Sequence, residues 1–145
     1  MVRLNVALLR RGLGIGSQHL LTVPGRTSGV PRSTPVSIAT IGAERYIVAA
    51  FEDAAWVANA RAANSGTLSR GGRNEAVSLT ELPIHERGPV LRTFLEQVPG
   101  GVRFFDGRTP DEVVDAADRY PVFRVSSVTT DGRRTLRFDR IVRFP

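Results

Sequence analysis

The chain has no cysteine and no lysine, and only one methionine, one tryptophan and two tyrosines among its 145 residues. Without cysteine there is no disulfide, no thiolate metal site and no cysteine nucleophile. The two histidines, His19 and His85, lack the H-x-x-x-H and H-E-x-x-H spacings, so no metal site is expected. No G-x-S-x-G elbow occurs, and neither histidine has a serine–acid signature beside it. Long apolar runs are missing too. None approaches the roughly 18–20 residues that span a bilayer. The N-terminal run Val6-Ala7-Leu8-Leu9 is cut by Arg10 and Arg11, too early for a signal-peptide core. A cytoplasmic protein is expected. If the chain is an enzyme, a cofactor must carry its reaction.

What remains is an ordinary globular composition, 41% hydrophobic and 23% charged, at the size of one domain. All 20 basic residues are arginine, and the net charge of +6 attracts anions. Nucleic acid, an anionic membrane surface and a phosphorylated small molecule share that chemistry. The basic stretches lack interleaved aromatics, which argues against nucleic acid.

Residues 1–18 read as a short N-terminal helix, Val2 to Arg11, followed by an elbow at Gly12, Gly14 and Gly16. Residues 19–145 read as a single domain. Short strands are expected at Leu20–Val23, Pro35–Ile41, Tyr46–Ala50, Thr67–Arg70, Glu75–Leu82, Val122–Val128 and Leu136–Val142. The connections are too short for parallel crossovers, so the strands pair antiparallel. Helices are expected over Ala54–Ala63, with Asp53 as N-cap and Gly66 as stop, over Glu86–Val98, and from Pro110 to Ala117 behind a Thr109 cap. The sum is an α+β chain: a mostly antiparallel sheet of about seven strands, curled over its own core, with three or four short helices.

Two constellations carry chemistry. In Pro24-Gly25-Arg26-Thr27-Ser28-Gly29-Val30-Pro31-Arg32-Ser33-Thr34-Pro35, two guanidinium groups flank a Thr-Ser-Gly turn. Glycine lets backbone amides approach a ligand, and guanidinium forks grip phosphate or carboxylate oxygens in pairs. A solvated polar hairpin would have the same spelling. In the second, small residues at Ala49-Ala50, then Phe51, leave room for a flat ring beside Trp56, with Asn59 one turn on. A core tryptophan and a helix-end asparagine would also satisfy that pattern.

In series, Leu20 to Val36, Tyr46 to Ala50 and Trp56-x-x-Asn59-x-x-Ala62-Ala63-Asn64 resemble the deazaflavin-dependent nitroreductase family, as does Pro121–Val125 as a closing strand. The resemblance implies a split β-barrel that binds coenzyme F420 through its phosphate and acidic tail. It implies that Arg26, Ser28, Gly29 and Arg32 hold the phosphate, with Thr34 and Pro35 near the ring system. Thr27 stands in the same turn, where family members often carry lysine. Ala49, Ala50 and Phe51 would border the deazaflavin, and Trp56 and Asn59 would close the pocket. The short segment Phe51–Ala55 replaces a longer loop, and its Glu52 and Asp53 would repel anions.

The implied activity is F420H2-dependent reduction of a quinone, nitro compound or activated alkene, with a proton from Tyr46, Ser37 or water. An FMN-binding split-barrel oxidoreductase and a non-catalytic F420-binding protein are the alternatives. A homodimer and a peripheral membrane contact through the N-terminal segment stay open.

Overall fold

The computed structural model describes residues 18–98 and 100–128. The expected N-terminal helix, the glycine elbow and the strand at Leu136–Val142 lie outside the described residues. Within them, the other six expected strands form: β1 (Gln18–Pro24), β2 (Pro31–Ile41), β3 (Glu44–Val48), β4 (Ser65–Arg70), β5 (Arg73–Glu81) and β6 (Val122–Ser127). They close into an antiparallel barrel in the order β1-β2-β3-β6-β5-β4. Three α-helices accompany it: α1 (Ala55–Ala63), α2 (Ile84–Gln97) and α3 (Pro110–Asp115).

The apolar pattern sorts into two clusters. Leu21, Val36, Ile38, Ile47, Val77 and Phe123 fill the barrel, and Val57 and Ala60 of α1 join them from one end. Ala39, Leu91, Phe94, Val113, Tyr120 and Val122 form a second cluster between the barrel wall and the helices that follow β5. The unbroken apolar run of β3 follows from this arrangement. Ile47 points inward while Tyr46 and Val48 pack on the outer cluster, so both faces of the strand are covered.

Local chemistry explains most boundaries. Gly71 and Gly72 both adopt positive φ and join β4 to β5 across the pair Arg70↔Arg73, as a two-residue hairpin requires. Thr109 caps α3 with a complete capping box to Glu112, and Pro110 opens the helix. Two expected signals move. Ala54, not Asp53, occupies the N-cap of α1, with no side-chain cap. Asn64 ends that helix in the left-handed region at φ 57, a conformation asparagine tolerates. Gly66 is therefore not a helix stop. It lies in β4, where an added Cβ would sit 2.8 Å from the Thr22 carbonyl and 2.9 Å from Val23 Cγ1.

Polar links tie the barrel staves. Arg45 of β3 donates to both carboxylate oxygens of Glu75 on β5, at 2.8 and 2.9 Å, and Ser127 of β6 donates to the same carboxylate. The Arg45 hydrogen bond, then that of Ser127, hold the Glu75 carboxyl down at about 2 from its usual 4.5.

Two outcomes follow. Gly66→Ala should cost about 1–3 kcal/mol in urea unfolding, because the obstructing atom is backbone and cannot step aside; a neutral result would mean β4 can slide off β1. A depressed carboxyl stabilises the fold above its unfolded value and loses that contribution as pH falls through its folded value. Melting temperature should thus drop between pH 4.5 and 2, and Glu75→Gln should flatten that drop.

Candidate functional site

The turn Gly25–Val30 between β1 and β2 is built by its own hydrogen bonds. Gly25 N–H donates to Val30 O and Gly29 N–H to Gly25 O, both at 2.9 Å. Val30 N–H donates to Ser28 Oγ at 3.1 Å. Arg26 N–H leaves the turn and donates to Asn59 Oδ1 at 3.0 Å. The N–H groups of Thr27 and Ser28 take no partner among the described residues, and both side chains line a cavity. Gly29, at φ 76, shapes the turn and lines neither cavity described below. Gly25 allows a close approach: a Cβ there would meet Ser28 Oγ at 3.0 Å and lie 3.8 Å from Arg32 Nε.

This cavity, of about 510 Å³, is lined by the turn and β2 on one side and by Ala55, Trp56 and Asn59 of α1 on the other. Arg26 and Arg32 both contribute to its wall, and no carboxylate does. Elsewhere carboxylates hold arginines, in the pairs Arg45–Glu75, Arg61–Glu81 and Arg92–Asp111. Neither Arg26 nor Arg32 makes an ion pair among the described residues. Two full positive charges therefore face one concave space, which favours an anion.

A second cavity, of about 210 Å³, shares Trp56 with the first. Most of its lining residues are apolar in type, and Pro35, Ala49, Ala50, Phe51 and Trp56 among them come from the sequence-predicted set. Strand β2 runs along both, with Arg32 to Thr34 in the charged cavity and Pro35 to Ser37 in the apolar one. At about 3.3 Å per residue, Arg32 to Ser37 spans about 17 Å. Trp56 leans on Phe123 of the barrel core, centroids 5.7 Å apart at 51°, which fixes the ring between the two spaces.

Helix α1 is anchored at its far end. Arg61 grips Glu81 bidentately, both bonds at 2.8 Å. Glu81 also accepts from Arg87 at 3.2 Å, a residue 7% exposed whose other donors go to the Leu82 and Ala117 carbonyls. The Arg61 hydrogen bond is the main reason the Glu81 carboxyl lies below the usual carboxylate range. The helix that carries Trp56 and Asn59 is thus fastened to β5 and α2.

Of the twelve predicted residues, Arg26, Thr27, Ser28, Arg32, Thr34, Trp56 and Asn59 meet at the charged cavity. Pro35, Ala49, Ala50 and Phe51 meet at the apolar one. Sequence reasoning missed Gly25, Ser33 and Ala55 in the first, and Gln18, Val36, Val48, Ala54, Phe94, Phe104 and Phe105 in the second. The phenylalanines arrive on α2 and the turn after it, and no local spacing links them to β2. Glu52 and Asp53, expected to oppose anions, do not line the charged cavity; with Asp106 and Arg119 they line a further space that shares Ala50 and Phe51 with the second one. Tyr46 lines none of these cavities and packs on the outer cluster. Ser37 does line the apolar cavity.

The sequence matches no family model and no curated protein. Solved structures do resemble it. A protein described as a domain-swapped dimer aligns with a TM-score of 0.56 at 20% identity, over 86% of this chain and 95% of its own. An F420-H2 dependent reductase, FDR-A, aligns with 0.55 at 21%, over 76% and 94%. The fold is a split β-barrel. A heme binding protein from Mycobacterium smegmatis shares it, with 0.54 at 13% over 86% of this chain and 54% of its own. A split barrel therefore does not choose its ligand, and function has to be argued from the site.

Arg32 makes no hydrogen bond or ion pair among the described residues. Arg32→Ala should leave the melting temperature of the free protein within about 2 °C. It should also cut the stabilisation given by pyrophosphate. A comparable loss in the ligand-free protein would show that the guanidinium is structural.

Proposed function

We propose that the two cavities together hold a planar redox coenzyme with an anionic arm, coenzyme F420, and that the chain reduces a small electrophilic acceptor: a quinone, a nitro compound or an activated alkene. One observation carries this reading. A cavity with two uncompensated arginines and a second one lined mostly by apolar residues, Ala49 and Ala50 among them, share Trp56 and lie along the same strand. The ligand that suits them has charge at one end and a flat apolar body at the other.

The residues present fit the group. Arg26 and Arg32 would take phosphate oxygens, helped by the Thr27 and Ser28 amides and the Thr27 hydroxyl. Thr34 and Pro35 would lie where the arm meets the ring system. Ala49 and Ala50, small at the end of β3, would leave room for the ring, with Phe51 at its edge and Trp56 and Asn59 closing the side. When bound, the reduced deazaflavin supplies the hydride. The chain supplies orientation, and its apolar wall keeps water from the reacting face. Ser37, which lines the apolar cavity, or water would pass a proton. An F420-H2 dependent reductase shares the fold, and the preference for F420 over FMN rests on the resemblance of residues 20–36, 46–50 and 56–64.

The sole tryptophan, Trp56, lies at the junction and reports occupancy. Titrating the protein with F420 and with FMN should quench its emission with both, and at lower concentration with F420. Tighter FMN binding would make this an FMN enzyme. Silence toward both would end the coenzyme reading. Steady-state oxidation of reduced F420 against a panel of quinones, nitro compounds and alkenes separates a reductase from a protein that only binds the coenzyme.

A further inference from the structure

We infer that Asn59 sets the charge of the anion site: it positions Arg26 through a neutral acceptor, so that Arg26 keeps its full charge, and it turns its own amide donors toward the ligand. The inference rests on the cavity being an anion site and adds the device that makes it one.

Asn59 is 5% exposed. Its Oδ1 accepts from Arg26 N–H at 3.0 Å and from Arg26 Nη1 at 2.9 Å. Both partners can only donate, so the amide orientation is determined and the Nδ2 group lies on the other side. Nδ2 has no hydrogen-bond partner among the described residues, and Asn59 lines the cavity. Asn59 Nδ2 is not among the buried side-chain atoms left without a partner, so it opens to solvent in the cavity, where an oxyanion can take the place of water. The fitting acceptor is an oxyanion drawn to Arg26 and Arg32.

The alternative design is present in the same molecule. Arg45, Arg61 and Arg92 are held by Glu75, Glu81 and Asp111, which fix each guanidinium and cancel its charge. A carboxylate at position 59 would hold Arg26 at least as firmly, since charge-assisted bonds are the stronger ones. It would also neutralise Arg26 and replace two donors with an oxygen that repels the ligand. Stability and anion binding therefore part company at this position.

Asn59→Asp and Asn59→Ala separate them, with inorganic pyrophosphate and F420 as probes, thermal unfolding as one readout and Trp56 emission as the other. Asn59→Asp should melt at or above the wild-type temperature and bind pyrophosphate about 30-fold more weakly or worse. Asn59→Ala should melt lower and bind about 10-fold more weakly. If Asn59→Asp binds pyrophosphate within about threefold of wild type, or fails to fold, the inference is overturned. Wild-type protein that binds pyrophosphate but neither coenzyme would sink the coenzyme reading and leave this one standing. Wild-type protein that binds neither pyrophosphate nor coenzyme would sink both.

Discussion

Two hydrogen bonds to a single oxygen, Asn59 Oδ1, join the turn after β1 to helix α1 across 33 residues of sequence. The turn is otherwise exposed, and its internal bonds fix its shape without fixing where it lies. Its place comes from the β1–β2 ladder that closes at Pro24↔Pro31 and from the helix. That helix owes its own place to Val57 and Ala60 in the barrel core and to Arg61 on Glu81. Rigidity thus passes from core to helix to amide to guanidinium, and a preorganised charge costs little further ordering when a ligand arrives.

Around that joint the molecule keeps its charges apart. Acidic side chains occupy the barrel wall, the helix anchors and a space beyond Ala50 and Phe51, while the cavity wall beside Trp56 carries only arginine. A net positive chain attracts anions anywhere on its surface. What concentrates the effect is local segregation, because a guanidinium already paired has little left to offer. Strand β2 then turns segregation into direction, since its successive residues line first the charged cavity and then the apolar one.

Much of this was legible in the sequence because it is local. Short alternating or apolar runs between turn signals placed six strands, the Gly71-Gly72 pair placed a hairpin, and Thr109-Pro110 opened α3 with the cap it was expected to have. The turn and the small residues after β3 also showed themselves as candidates. Long-range geometry was not legible. Nothing near Asn59 announces a bond to Arg26, and nothing near Phe94 or Phe105 announces a shared wall with Pro35. Gly66 was misread because a glycine after a helix commonly ends it, whereas here Asn64 had already done so and the missing side chain serves strand contact. Tyr46, one of the three proton sources named, packs on the outer cluster and lines neither cavity; periodicity says that a side chain alternates, but not which of two apolar layers receives it.

The staves of the barrel are not equally joined. β1 and β2 match over seven residue pairs, Gln18↔Ser37 to Pro24↔Pro31, whereas β1 and β4 match over only three, Leu20↔Ser69 to Thr22↔Thr67. The thinner seam is where local opening costs least. It runs beside the strand that delivers the chain to the Arg26 turn, and Thr22 in that seam shares a hydroxyl contact of 2.8 Å with Ser33 of the cavity wall. A molecule clasped by the turn would therefore act on the barrel as a hoop on a cask, slowing amide exchange along β1 and β4 while leaving β3 and β6 almost untouched.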